Sequence, residues 1–347
     1  MFLRAKAKFC SYKWRRLIAA ALCALMLMPA FARALDHTQL AVIINMRDPL
    51  SVQIGEYYAA QRRILFQNII RVGFPGNKSV LSVGEFEALR SWVQEKTMPG
   101  VEAYVLTWAL PYRVDCMSIT SAFAFGYSTA FCAEGCKPTQ PSPYFNSPTR
   151  LPFLQLGMRP TMSLTAATFE GAKALIDRGV AADGTRPRGT VYLASTYDAA
   201  RDVRSVTYPI VDKMLKGRLT VRHVDADTTL KNAKDVLFYF IGKSNVDALD
   251  TLRFRPGAIA DHLTSNGGVL SNDTGQMSAQ RWLDAGATGS YGTVVEPCNL
   301  PQKFPSPPIL IGHYLQGETL IEAYWKSVQM PGQGIFIGEP LAAPFKR

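Results

Sequence analysis

Short apolar runs separated by segments of helical periodicity set the pattern of the chain from residue 39 onward. Residues 39–45 (QLAVIIN) are rich in branched side chains and predict a buried strand. Asp48-Pro49 then opens a helix, Asp as the cap and Pro in the first turn, with Ile54, Tyr57, Tyr58 and Ile64 as its stripe. Residues 68–72 predict a second strand. Ser82-Val83-Gly84-Glu85 has the form of a capping box, and Phe86, Leu89, Trp92 and Val93 continue behind it at helical spacing. Residues 101–108 predict a third strand. Parallel neighbours need a covering crossover, so this β-α-β-α-β run implies a parallel sheet with helices on it.

The pattern lapses between residues 110 and 152, where Pro138, Pro141, Pro143 and Pro148 crowd together. This stretch reads as an excursion from the sheet, either a functional loop or a structural flap. Alternation resumes with a helix marked by Phe169, Ala172, Leu175 and Ile176. Strands are predicted at 189–194, 219–224, 235–242, 256–263, 288–295 and 334–337, with helices at 206–215, 276–285 and 318–328. The expected fold is α/β, with mostly parallel sheets flanked by helices in two β-α layers. No Ser- or Pro-rich linker and no tandem repeat interrupts it. The expected organisation is a leader at 1–32, an amino-terminal subdomain at 33–152 and a carboxyl-terminal one at 153–347.

The leader changes the charge picture. Arg4, Lys6, Lys8, Lys13, Arg15 and Arg16 precede an apolar run of 12 residues from Leu17 to Met28. Pro29 ends the run, and Ala30-Phe31-Ala32 or Ala32-Arg33-Ala34 supplies a small-x-small cleavage site. This is the secretory pattern, and the run is short of the roughly 20 residues that span a bilayer. An uncleaved anchor is the alternative; Arg15-Arg16 fits a twin-arginine signal poorly. The expectation is a periplasmic or secreted protein starting near Arg33 or Leu35, with no transmembrane span in the mature chain. Of the 347 residues, 38 are basic and 27 acidic, a net +11. Residues 1–33 hold seven of the basic ones and no acidic one, which leaves 31 against 27, or +4. No Lys/Arg stripe interleaves with aromatics, so nucleic acid is excluded as a partner.

Cys10 and Cys23 leave with the leader, and Cys116, Cys132, Cys136 and Cys298 remain. An even number in an oxidising compartment favours disulfides. The close spacing of Cys132 and Cys136 suggests that they bridge each other, leaving Cys116 with Cys298, although three connectivities exist. Zinc is the alternative for Cys132-x3-Cys136, but the other thiols are isolated, so no metal is expected.

Ligands of parallel α/β sheets sit outside the carboxyl ends of the strands. At those ends lie Gly242-Lys243-Ser244-Asn245, Thr264-Ser265-Asn266-Gly267-Gly268, and a strand entered through residues 286–292 (GATGSYG) and left at Glu296. Glycine there lets backbone N–H groups approach a ligand, or simply makes tight turns. The candidate binding residues are Lys243, Thr264, Ser265, Ser290, Tyr291 and Glu296. No nucleotide-binding glycine fingerprint, His-Glu-x-x-His or Gly-x-Ser-x-Gly occurs, and no cofactor is expected. For catalysis, the candidates are Ser265 or Thr264 with His262 or His313. His262 should point into or across the sheet, and it reads first as a satisfied core histidine. His313 stands near Glu318 and Glu322, an i, i+4 pair of the kind that is commonly solvated, and with Glu296 and Glu318 it makes the best ionisable set of the tail.

The stretches GAIADHLTSNGG, AGATGSYGTVVEPCNLPQKFP, GHYLQGETLIEAYWKSV and IGEPL, between Gly257 and Phe345, resemble an uncharacterised family of exported bacterial proteins from genomes that carry the exosortase sorting system. The early EYYAAQRRI resembles it too. More remotely, the strand order and Gly338-Glu339-Pro340 resemble caspase-like cysteine peptidases of the gingipain type. In that resemblance the His-Gly position falls on Ile241-Gly242 and the cysteine position near Thr264-Ser265, so the peptidase residues do not carry over. A hydroxyl without a base is a poor nucleophile. The resemblance implies a caspase-like envelope protein that has lost catalysis and binds a peptide, a glycan or a sorting-system component. The alternative is a peptidase-like hydrolase using the hydroxyls named above.

Overall fold

Six uncharged residues, Leu40–Asn45, form β1, and all are buried. The computed structural model describes residues 34–133, 136–271 and 274–346; the expected leader lies outside them. The other strands are β2 (Ile69–Val72), β3 (Val80–Leu81), β4 (Ala103–Leu106), β5 (Arg113–Val114), β6 (Met117–Ser118) and β7 (Thr161–Ser163). They are followed by β8 (Thr190–Ala194), β9 (Thr220–Val224), β10 (Val236–Ile241), β11 (Phe254–His262), β12 (Gly289–Thr293) and β13 (Gly334–Gly338). Asp48 caps the helix Pro49–Arg62 through Leu50 N, and Ser82 and Glu85 close a capping box on the helix Val83–Lys96. Both helix starts follow the sequence signals.

Ten strands form one sheet in the order β2-β1-β4-β7-β13-β12-β11-β10-β8-β9, and β3, β5 and β6 form a small second sheet. β13 runs antiparallel to β12 but parallel to β7. The other neighbours in the large sheet are parallel. Two parallel blocks of five therefore meet at the β12–β13 seam and run in opposite directions. Numbered along the chain, each block has the order 2-1-3-4-5, one of the two common doubly wound orders. The carboxyl ends of the two blocks lie on opposite edges. The sheet is continuous across residue 152, and β13, from the end of the chain, completes the block begun by β1.

Helices pack on the sheet and bury its central strands, while the edge strand β9 stays largely exposed. The helix Leu320–Ser327 is buried throughout, and Trp325 stacks on Phe336 of β13 with ring centroids 4.2 Å apart. No helix among the described residues is long and apolar enough to cross a membrane.

The disulfides correct the expected pairing. Cys116 is bridged to Cys132 and Cys136 to Cys298, each with Cα atoms 5.4 Å apart, within bridging range. Cys132 ends the short turn Thr129–Phe131 beside the β5–β6 turn that holds Cys116, and this uses up its thiol. Cys136 instead ties the excursion to the segment after β12.

Candidate functional site

In a 2-1-3-4-5 block the crossovers diverge between the first and third strands, and a crevice opens at their carboxyl ends. In the amino-terminal block this is the β1–β4 gap, and it is filled. Ser51 Oγ lies 2.7 Å from Thr107 Oγ1 and accepts from Asn45 N, while Trp108 meets Phe74 edge-to-face. In the other block it is the β8–β10 gap, and it is open. A cleft of about 420 Å³ lies there. Its walls are Ser195–Asp198 after β8, Ala226–Leu230 after β9, and Lys243, Ser244, Val246 and Asp247 after β10, over a floor of Tyr239 and Ile241.

The lining is rich in hydroxyls and carboxylates. Thr196 Oγ1 donates to Gly242 O at 2.7 Å, and its backbone N–H is held by Asp202, so the turn after β8 is fixed. Asp198 pairs with Arg201 at 2.6 Å and Asp247 with Lys243 at 2.8 Å. Asp227 and the hydroxyls of Thr228 and Thr229 complete the polar rim. Tyr197 stands at the mouth with 81 % of its surface exposed.

The chain matches no family, no curated protein and no solved structure.

Of the residues expected from sequence, Lys243 lines the cleft. Thr264 lies one strand away, buried; its hydroxyl donates to Gln276 Oε1 at 2.8 Å and accepts from Arg201 Nε at 3.0 Å. Arg201 thus links Thr264 to Asp198 on the cleft wall. Ser265 follows, half-buried, with its carbonyl accepting from Thr293 Oγ1. Glu296 is exposed and accepts from Cys298 N at 2.7 Å. Ser290 and Tyr291 require a correction. They lie inside β12, fully buried, and Tyr291 donates to Lys303 O. The GATGSYG segment enters its strand rather than leaving it, which takes it off the carboxyl edge. Its glycine Gly292, with Gly268 after β11, lets the turn 264–268 pack backbone-on-backbone against β12; a Cβ at either would collide with the other segment.

His262 is buried and saturated. Its Nδ1 accepts from Trp282 Nε1 at 2.9 Å and its Nε2 donates to Met277 O at 2.9 Å, which fixes the neutral tautomer. Burial pushes its pKa down to about 4. The unfolded chain therefore binds this proton near pH 6.5 and the folded chain only near 4. The contribution is complete above 6.5 and is lost as pH falls from 6.5 to 4, roughly 3 kcal/mol in all. Urea unfolding at pH 7 and pH 4.5 checks this: wild type is expected to lose more stability than His262→Gln over that interval.

His313 belongs to a different place. Its Nε2 lies 3.0 Å from Asn146 Oδ1 and its Nδ1 3.1 Å from Glu318 Oε2, so neither nitrogen meets a hydroxyl. Glu318 and Glu322 are buried rather than solvated. Burial raises the Glu318 carboxyl, but His313 and Lys326 outweigh it and hold the pKa below the ordinary value. Glu296 is not among the groups that His313 contacts.

Sequence reasoning missed Arg204 and Asp261. Arg204 sits in the short helix Asp202–Thr207, buried and ion-paired to Asp261 of β11, with Nη2 donating to Ile241 O at 3.2 Å. The pair clamps the segment after β8 over the ends of β10 and β11. Gly242 is needed beneath it, since a Cβ there would meet Arg201 backbone. The available signal was an aspartate inside the expected strand AIADHL, since a carboxylate buried there needs a cation beside it.

Proposed function

We propose that this chain is an exported envelope protein without catalysis that binds a peptide, a glycan or a sorting-system component in the β8–β10 cleft. The observation that carries the reading is the coincidence of the open cleft with the crossover divergence of its block. Ligand pockets concentrate at such points. The hydroxyls, the carboxylates of Asp198, Asp227 and Asp247, and the exposed ring of Tyr197 suit a hydroxyl-rich polar ligand such as a glycan. The lack of a base on the Thr264 hydroxyl, and the use of both His262 nitrogens by Met277 and Trp282, favour binding over hydrolysis. Two disulfides and the absence of a membrane-crossing helix among the described residues are compatible with a secreted protein. The leader pattern and the resemblance to exosortase-associated exported proteins supply the envelope setting, and the resemblance to gingipain-type proteins supplies the caspase-like architecture.

The test is capture of envelope material on the exported protein, with mass spectrometry of what is bound. Ser244→Trp, which fills the cleft from the turn after β10, is expected to abolish the captured species while leaving the unfolding midpoint near wild type. Undiminished capture by the folded variant would move the site elsewhere. Turnover of peptide substrates lost in Thr264→Val or Ser265→Ala would favour the hydrolase instead.

A further inference from the structure

The backbone nitrogen of Leu35 lies 3.2 Å from Oε2 of Glu322, and both residues are buried. Glu322 stands in the first turn of the helix Leu320–Ser327. The same oxygen accepts from Thr319 N at 2.9 Å and Thr319 Oγ1 at 2.6 Å. Oε1 has no hydrogen-bond partner among the described residues, and Arg150 is 4.0 Å from it. The neighbouring carboxylate, Glu318, has the Lys326 ammonium at 2.9 Å. Glu318 therefore has an ammonium in direct contact, whereas Glu322 accepts hydrogen bonds only from neutral groups and has the Arg150 guanidinium no nearer than 4.0 Å. Burial and the nearby Glu318 push the Glu322 carboxyl up, and the Thr319 hydrogen bonds and the more distant Lys326 only partly offset them.

Leu35 also directly follows Ala32-Arg33-Ala34, one of the two small-x-small sites, and the compact unit of the chain begins at Ala34. Resting on the export reading above, we infer that the chain is cut between Ala34 and Leu35 and that the freed α-ammonium of Leu35 becomes the buried partner of Glu322. The amide N–H in the uncut chain occupies the position of that ammonium, with one proton in place of three and no charge. Hydrolysis places the hydroxyl of a water on the Ala34 carbonyl carbon and its hydrogen on the Leu35 nitrogen. The catalyst is the membrane peptidase class that removes leaders. An ordinary α-amine, with a pKa of about 7.7–8.0, then takes a further proton from solvent at neutral pH. A cut after Ala32 would leave Leu35 an amide and Glu322 without this partner. Processing at Ala34 thus supplies a charge that the mature core uses.

The full chain, exported in a bacterial host, tests this by its first residue, read from intact mass. The expected start is Leu35. A reagent that acylates α-amines should label Leu35 at least about tenfold more slowly in the folded than in the urea-unfolded protein. Glu322→Gln should lower the melting midpoint of the Leu35 form by about 2 °C or more beyond its effect on a form that starts at Arg33. If the Gln variant fails to fold, the labelling ratio reads the same contact. A mature protein starting at Arg33 overturns the inference and leaves the export reading standing, as do equal effects of Glu322→Gln in both forms or equal labelling rates. A chain that keeps residues 1–32 overturns both.

Discussion

Arg204→Met is expected to cost the fold about 3–5 kcal/mol, the penalty for leaving one member of a buried ion pair uncompensated. Asp261, 1 % exposed, would keep its carboxyl in the sheet with no cation beside it. Burial already raises its pKa, with Arg204 pulling the other way; without the guanidinium the carboxyl must take up a proton. Losses of this size are a large share of the 5–15 kcal/mol that holds a typical fold together. Arg204 also donates to the carbonyls of Ile241 and Pro305, so its removal frees the segment 202–207 from the ends of β10 and β11. The cleft wall carried by residues 195–198 would loosen with it. The double variant Arg204→Met with Asp261→Asn should recover much of the loss, since replacing both charges removes the unpaired one. Urea unfolding of the three proteins measures this. A single variant within 1 kcal/mol of wild type, or a double variant no better than the single, would contradict it.

The second large effect is expected at Cys136–Cys298, which closes a sequence separation of 162 residues. The chain-entropy relation assigns roughly 5 kcal/mol to a loop of that size, against about 3 kcal/mol for the 16-residue separation of Cys116–Cys132. Replacing Cys136 and Cys298 by serine should therefore lower the oxidised protein's melting midpoint more than replacing Cys116 and Cys132. Peptide mapping without reduction should recover 116–132 and 136–298 links. A link between Cys132 and Cys136, or a loss that is larger for the short loop, would contradict the account.

The strands of this fold were legible where branched apolar runs exceed four residues, as in LAVIIN and VLFYFI, because such runs are stable only when buried on both faces. β7 was not legible. Its three residues, Thr161–Ser163, carry no pattern of their own and are a strand because β4 and β13 lie on either side. The antiparallel seam was hidden for the same reason: the direction of β13 follows from pairings between residues far apart in sequence. Of the strand ends singled out in the sequence, the one at Lys243 and Ser244 lines the open cleft, while those at Thr264 and Glu296 lie one to two strands away. Small residues at strand ends were read as ligand-facing, yet Gly289 and Gly292 are small because Leu320, Tyr324 and the turn 267–268 crowd them. Ser195-Thr196 had the same composition after β8 and was overlooked, because only the strand order identifies which gap opens. Glu318 and Glu322 had the spacing of a solvated pair. Their burial depends on Arg150, Lys326 and His313 converging on them, two of which lie on other segments.

The most direct measurement of the central claim is photo-crosslinking in the envelope from two exposed positions. Tyr197, at the mouth of the cleft, and Phe66, beside β2 at the other edge of the sheet, are 81 % and 78 % exposed. Each is replaced by a photoreactive phenylalanine in otherwise wild-type protein. A discrete adduct is expected from position 197, disappearing when Ser244→Trp is added, and none from position 66. An adduct of equal yield from both positions, or one from position 197 that survives the filled cleft, would contradict it.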